Sequence, residues 1–185
     1  HQDGLELVDS YTTNPHKWLL TNFDCSAFWV ADRAALVDAL SITPPYLRNE
    51  ASDTGAVVDY RDWHVPLGRR FRALKLWFVL RSYEAEGLRS HIRNHLDWAR
   101  VLERHVVDHP SLELVAPTPF ALVSFRHVDG DAATTALAAA INASGSAYVT
   151  PSVIDGRTFV RVSIGSTWTE RRHVEHLWDL IAAEA

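Results

Sequence analysis

The stretch Asn14-Pro15-His16-Lys17-Trp18-Leu19-Leu20 sets a lysine between a rigid turn and an apolar run. Pro15 fixes its own φ and pushes Asn14 toward extended backbone, so Asn14 to Lys17 are stiffly presented. A solvated lysine is the ordinary case. A lysine preorganised beside apolar groups is harder to keep charged, because desolvation disfavours the ammonium form. Such an amine attacks a carbonyl carbon and holds an imine. The other paired groups predict less. His91 and His95 have the i, i+4 spacing of a helical metal pair, but "HIRNH" lacks the glutamate of the zinc-protease motif and no third ligand is evident, so no metal site is expected. His105 with His109, and His173 with His176, read as solvated helix faces. Cys25 reads as a small buried hydrophobe, and "GRRFRALK" as a helix start with a basic exposed face.

The elements that must hold Lys17 follow from periodicity. Residues 5–11 alternate loosely and predict a short strand entering the Asn14-Pro15 turn. "CSAFWVA" (25–31) predicts a buried strand and "RAALVDAL" (33–40) a short helix. Residues 41–67 hold Pro44, Pro45, Gly55 and Pro66 with few periodic apolar positions, which predicts a long loop of the functional or mobile kind. Helical spacing of Phe71, Leu74, Trp77 and Phe78 predicts a helix from Arg69 to about Tyr83, and a second runs from about Gly87 to Val107. Past Pro110 the texture changes. "LELVA" (112–116) and "ALVSF" (121–125) read as strands, 131–144 as an alanine-rich helix, "AYVT" and "TFVRVSI" as strands, and a last helix starts near Thr169, which resembles a capped start. This tail is an α+β lobe with its boundary near residue 110.

The bulk numbers narrow the classes. A chain of 185 residues with 47% hydrophobic content can bury a sizeable core. A net charge of −5 gives no general attraction to phosphate backbones or anionic lipid, so neither a nucleic-acid nor a membrane partner is expected. No apolar run reaches bilayer length and the first residues lack a secretory pattern. The single cysteine excludes an internal disulfide framework and fits a reducing compartment, here taken as the cytoplasm. The absence of methionine suggests a piece of a longer protein.

The blocks "DSYTTNPHKWLLTNFDCSAFWV", "PPYL", "DYRDWHVPLGRRFRALKLWFVLRSYE" and "FVRVSIGSTWTERRHV" resemble, in order and spacing, the C-terminal portion of the group II pyridoxal-phosphate decarboxylases, in particular the aromatic L-amino acid decarboxylases. The resemblance covers essentially the whole chain. It implies an α/β fold: part of a fold-type I large domain in residues 1–110, carrying the catalytic lysine and a flap loop at 41–67, and a small α+β C-terminal domain in residues 111–185. The implied coenzyme is pyridoxal 5′-phosphate, and the implied reaction turns an aromatic amino acid of the tryptophan, dopa or tyrosine type into its amine and carbon dioxide.

Residue by residue, the resemblance makes Lys17 the Schiff-base lysine, and Asn14 and His16 coenzyme-pocket residues near the phosphate and beside the lysine. From the residues alone, a turn-capping Asn14 and an ordinary packed His16 are the lesser alternatives. Tyr46 would be the flap tyrosine that protonates the decarboxylated carbon. Relatives with phenylalanine there make aldehydes, and a phenol delivers a proton where a benzene ring does not. Phe23 matches an aromatic of the substrate pocket and could as well be core. Gly68 matches a position where glycine goes with indole or catechol rings and serine with phenols. Arg161 has a counterpart near the active site, and a structural ion pair is its alternative, since a charge inside a strand is costly unless paired. The family's ring-stacking histidine, pyridine-binding aspartate and most phosphate-binding hydroxyls lie upstream of His1, so the chain alone is expected to be inactive and to need the N-terminal half of the same protein within a homodimer. An aldehyde synthase and a noncatalytic remnant are the competing readings.

Overall fold

The computed structural model describes residues 2–42, 44–47 and 50–185; His1, Thr43, Arg48 and Asn49 lie outside it, the last three within the expected flap loop. The chain divides into two compact units, His1–Val79 and Leu80–Ala185. The division falls ahead of residue 110, because the helical stretch before Pro110 supplies buried residues to the second unit.

In the first unit, the apolar start at Leu5–Leu7 is a 3-10 turn rather than the expected strand, and β1 comprises Ser10–Thr13. Gly4 supplies the positive φ of 90° that enters that turn. α1 is one turn, Pro15–Trp18, and β2 is Ala27–Val30. β1 and β2 pair antiparallel, with Ser10 opposite Val30 and Thr13 opposite Ala27. β2 is not the buried strand the sequence predicts. Phe28 and Trp29 are both more than half exposed, and Trp29 meets Tyr11 across the ladder at 5.7 Å between ring centroids. α2 spans Arg33–Leu40 and is capped by Asp32, whose carboxylate accepts from the backbone of Ala34 and Ala35.

The segment after α2 is more structured than a long loop. Its described residues include 3-10 turns at Pro45–Leu47 and Tyr60–Trp63 and a helical turn, α3, at Glu50–Asp53. Asp59 caps the Tyr60–Trp63 turn, Arg61 pairs with Asp59 and Asp62, and the Ser41 hydroxyl reaches Asp62, tying this turn to the end of α2. Among the described residues of the unit, only Pro15, Thr21 and Cys25 are buried.

α4 runs Arg72–Asp108, starting after the basic Arg69-Arg70 pair, and breaks at Glu84 with φ 54° and ψ 175°. The break falls between the two helices that the periodicity predicts. Beyond it Leu88, His95, Ala99, Leu102 and Val106 form one buried stripe, which is the side-chain repeat of a helix packed along one face. The second unit continues with β3 (Leu112–Leu114), β4 (Leu122–His127), α5 (Asp131–Ala143), β5 (Thr150–Ile154), β6 (Arg157–Ser163) and α6 (Arg171–Glu184). Its sheet is antiparallel in the order β3-β4-β6-β5. A two-residue turn at Asp155-Gly156, both at positive φ, joins β5 to β6.

Burial alternates along the end of β6, whereas β4 is buried on both faces, with Ser124 and Arg126 also closed to solvent. Val123 and Phe125 of β4 and Val160 and Val162 of β6 turn inward with Leu137, Ala138 and Ile141 of α5 and Ile181 of α6. Fully burying a side chain of this size stabilises by roughly 1.5–3 kcal/mol, so this cluster is the main source of stability in the unit. His105 and His109 are not solvated as expected: both rings pack on Trp178 of α6, His105 stacked at 4.8 Å and 11°. α6 is capped by Glu170 rather than Thr169. Glu170 and His173 form a reciprocal capping box, with the Glu170 N–H donating to His173 Nδ1.

Candidate active site

Asn14 has extended backbone, φ −115° and ψ 90°, as a residue before proline should. Pro15 is the first helical residue and is buried, and the Lys17 N–H donates to the Asn14 carbonyl at 2.9 Å, closing α1 around the lysine. The chain turns away through Leu20, a non-glycine residue at φ 57°, and the buried Thr21 N–H returns to the Pro15 carbonyl at 3.2 Å. A left-handed leucine costs on the order of 1 kcal/mol. Packing of the turn holds it there.

The return segment from Phe23 to Ser26 clamps this turn. The His16 N–H donates to the Cys25 carbonyl at 3.3 Å. His16 Nδ1 lies 2.7 Å from that carbonyl and 3.0 Å from the Cys25 N–H, so it donates to the first or accepts from the second according to its tautomer. The Phe23 ring meets the His16 ring edge-on at 4.9 Å, while remaining 84% exposed. The Ser26 hydroxyl donates to Asn14 Oδ1 at 2.6 Å. Behind the segment, Nε and Nη2 of Arg72 both lie 3.0 Å from Asp24 Oδ2, and the Cys25 thiol reaches the Arg72 carbonyl at 3.9 Å. The Arg72 hydrogen bond holds the Asp24 carboxyl below the usual carboxylate range. Arg72 is thus a strut of the turn, not part of an exposed basic face, whereas Arg69 and Arg70 are exposed.

Lys17 itself is exposed, and its amine makes no hydrogen bond or ion pair with a described residue. The apolar enclosure expected around it is not formed by the neighbouring residues of the turn. Asn14 does not cap α1 through its side chain. The structure thus brings Asn14, His16, Lys17 and Phe23 into one clamped turn. Gly68 joins its rear side: with Asp24, Ser26, His64 and Arg72 it lines a cleft of about 430 Å³, and a Cβ added at Gly68 would meet nothing within 4 Å. Tyr46, on the Pro45–Leu47 turn, is 80% exposed and does not line that cleft.

Arg161 belongs to the second unit. It stands on β6 between Ser124 of β4 and Thr150 of β5, exposed, and makes no ion pair among the described residues. The alternation that buries Val160 and Val162 turns it outward, so no structural ion pair is required. Sequence reasoning missed Asp24, Ser26 and Arg72 as supports of the turn. The hairpin register could have found Ser26, whereas Asp24 and Arg72 show only through their long-range contact.

The solved structure of Oryza sativa TDC with PLP and tryptamine is similar over 100% of this chain and 40% of that one, with a TM-score of 0.94 and 42% identity. The fold is therefore that of the fold-type I pyridoxal-phosphate proteins. The chain is 46% identical to phenylacetaldehyde synthase of Arabidopsis thaliana over 99% of its own length, and 42% identical to tryptophan decarboxylase 2 of Oryza sativa subsp. japonica over 100%. It spans 39% of the length of each of these relatives. Residues 1–128 match the pyridoxal-dependent decarboxylase conserved domain. The chain belongs to the pyridoxal-dependent decarboxylase family.

Proposed function

We propose that the protein of which this chain forms part binds pyridoxal 5′-phosphate at Lys17 and converts an aromatic L-amino acid into its amine and carbon dioxide. The observation that carries this reading is the clamped Asn14–Lys17 turn, which presents an unpaired primary amine in a chain of this family. The donor set suits the coenzyme: a free amine for its aldehyde, a carboxamide for its phosphate and a histidine beside both. When bound, the coenzyme supplies an electrophilic aldehyde and a ring that takes up the electrons of the broken bond to the carboxylate.

Everything else is work for this chain's own residues. Lys17 Nζ gives up a proton and acts as the nucleophile, and once the substrate amine has taken its place it stands free to hold and move protons. His16 is fixed through Nδ1 at Cys25, which leaves Nε2 for a hydrogen bond or a proton. Phe23 covers the edge of that imidazole and offers an aromatic wall to the substrate. The Tyr46 hydroxyl delivers the proton that replaces the lost carboxylate. Gly68 leaves room for an indole or catechol ring. The reading keeps Arg161, exposed and without an ion pair among the described residues, as a substrate-binding residue on the family resemblance.

The same reading includes the N-terminal part of the protein, since the chain spans only part of its relatives, and a homodimer on the family resemblance. Residues 1–110 are then the end of the large domain, residues 111–185 the small one, and the setting is cytoplasmic.

The likeness to an aldehyde synthase favours a second reading, in which dioxygen is the oxidant and, with water, the products are an aldehyde, carbon dioxide, ammonia and peroxide. Tyr46 argues for the amine, because its phenol can donate a proton. The deciding experiment supplies the full-length protein with tryptophan, tyrosine, dopa and phenylalanine in parallel, and measures carbon dioxide, amine, aldehyde and peroxide. Amine in step with carbon dioxide supports decarboxylation. Aldehyde with peroxide establishes the second reading, and no turnover with no bound coenzyme sinks both.

A further inference from the structure

The β1–β2 ladder places each residue of one strand opposite a fixed partner on the other, ending with Thr13 opposite Ala27. One step further along the same register, Asn14 faces Ser26, and the hydroxyl and the carboxamide meet at 2.6 Å. Asn14 occupies the position where an asparagine ordinarily caps a helix with its side-chain oxygen. Asp32 and Asp59 stand in the same position with similar extended backbone, and both carboxylates accept backbone N–H groups. Asn14 makes no such bond. Its first helical neighbour is Pro15, which has no N–H, and the Lys17 N–H is taken by the Asn14 main-chain carbonyl. The carboxamide oxygen is engaged by Ser26 instead.

We propose that Ser26 is a positioning residue for the coenzyme phosphate, holding Asn14 by its oxygen so that Nδ2 is presented to the anion. This rests on the reading of Lys17 as the coenzyme-bearing lysine. The physical reason is the asymmetry of an amide: its NH2 can only donate and its oxygen can only accept, whereas a phosphate oxygen accepts. A carboxamide free to flip would turn its oxygen lone pairs toward the anion for part of the time. In the flipped form Nδ2 would donate to the Ser26 hydroxyl oxygen and Oδ1 would face a phosphate oxygen, so the anion selects the orientation in which Ser26 donates, and the Ser26 bond fixes where the carboxamide sits. Nδ2 makes no hydrogen bond to a described residue, so both of its protons remain available.

The test uses the full-length protein and two aldehydes, pyridoxal 5′-phosphate and pyridoxal, which differ in the phosphate alone. Binding is read from the absorbance of the lysine adduct, and attachment at Lys17 from peptide mapping after borohydride reduction. Ser26→Ala is expected to weaken pyridoxal 5′-phosphate about tenfold, the size of one lost hydrogen bond, while pyridoxal changes by less than about twofold. Ser26→Thr, which keeps the hydroxyl, restores the wild-type affinity. Equal weakening of both aldehydes overturns the proposal in favour of a general loosening of the hairpin. An unchanged affinity in Ser26→Ala, with label still fixed at Lys17, overturns the role of Ser26 and leaves the coenzyme site standing. A wild-type protein that fixes no label at Lys17 removes both.

Discussion

The two units differ in what holds them together. The second buries a continuous apolar cluster from β4, β6, α5 and α6, with Phe125, Val160, Ile141 and Ile181 closed to solvent. The first carries the reactive turn, yet among its described residues buries only Pro15, Thr21 and Cys25, and it exposes Phe23, Phe28, Trp29, Phe71, Trp77 and Phe78. On the proposed reading, apolar exposure on this scale is surface for the N-terminal part of the protein to cover. Local polar clamps, at His16–Cys25, Asn14–Ser26 and Asp24–Arg72, do in the first unit what a core does in the second. The candidate site therefore sits where a few hydrogen bonds fix geometry, and stability sits where close packing supplies it.

The widest separation of the two is expected from Lys17→Ala in the full-length protein. It abolishes the borohydride-fixed coenzyme label and lowers amine formation by at least about a thousandfold, while thermal unfolding without coenzyme stays within about 1 kcal/mol of wild type, as for other exposed sites. Fluorescence titration and calorimetry on one preparation check this. A large loss of coenzyme-free stability would mean that the turn is structural after all.

Core truncation should show the reverse. Phe125→Ala in the second unit is expected to destabilise by about 3–5 kcal/mol. The matched change Phe28→Ala, at a ring 51% exposed, should cost less than about 1.5 kcal/mol in the isolated chain. Urea denaturation of both variants tests the contrast, and comparable losses would break it.

The next effect is a dependence on pH that belongs to the second unit. Burial, with the nearby His91 ring as a lesser cause, pushes the His95 pKa down to about 4. His95 stays neutral when folded while the unfolded chain takes up a proton near 6.5. Stability is then fully present above about pH 6.5 and falls as pH drops toward 4, by up to about 3 kcal/mol. His95→Gln should flatten that slope in denaturation curves taken across this range. The Asp24–Arg72 strut of the first unit responds lower, since the lowered Asp24 pKa keeps its contribution until the pH falls through the carboxylate range.

The smallest of these effects lies at a helix end. Glu170→Ala opens the capping box of α6 and should cost about 1 kcal/mol, read as a shift in the urea midpoint with activity unchanged in the full-length protein.

Much of the scaffold was legible because it depends on near neighbours. Pro15 stiffens the turn, the apolar spacing before Tyr83 and after Gly87 gives a helix with a break between, and the alanine-rich run at 131–144 can hardly be anything but helix. The misreadings share one cause. Leu5–Leu7 was judged by loose alternation, and β2 and residues 41–67 by composition, and neither says whether an apolar residue has anything to pack against. In the candidate site, Lys17 stood out by its local setting, while Asp24, Ser26 and Arg72 did not. A serine, an aspartate and an arginine carry no signal until a partner faces them.

The amino-acid order by itself determined the stiff turn that carries the Lys17 amine, because steric limits at Asn14 and Pro15 act within a residue or two. Tertiary structure alone decided that Ser26 meets Asn14, that Arg72 braces Asp24 from far along the chain, and that Arg161 faces outward. The first and last rest on hairpin register and strand pairing, where a shift by one residue sends every side chain to the opposite face, and the second on the start of α4 reaching the return segment.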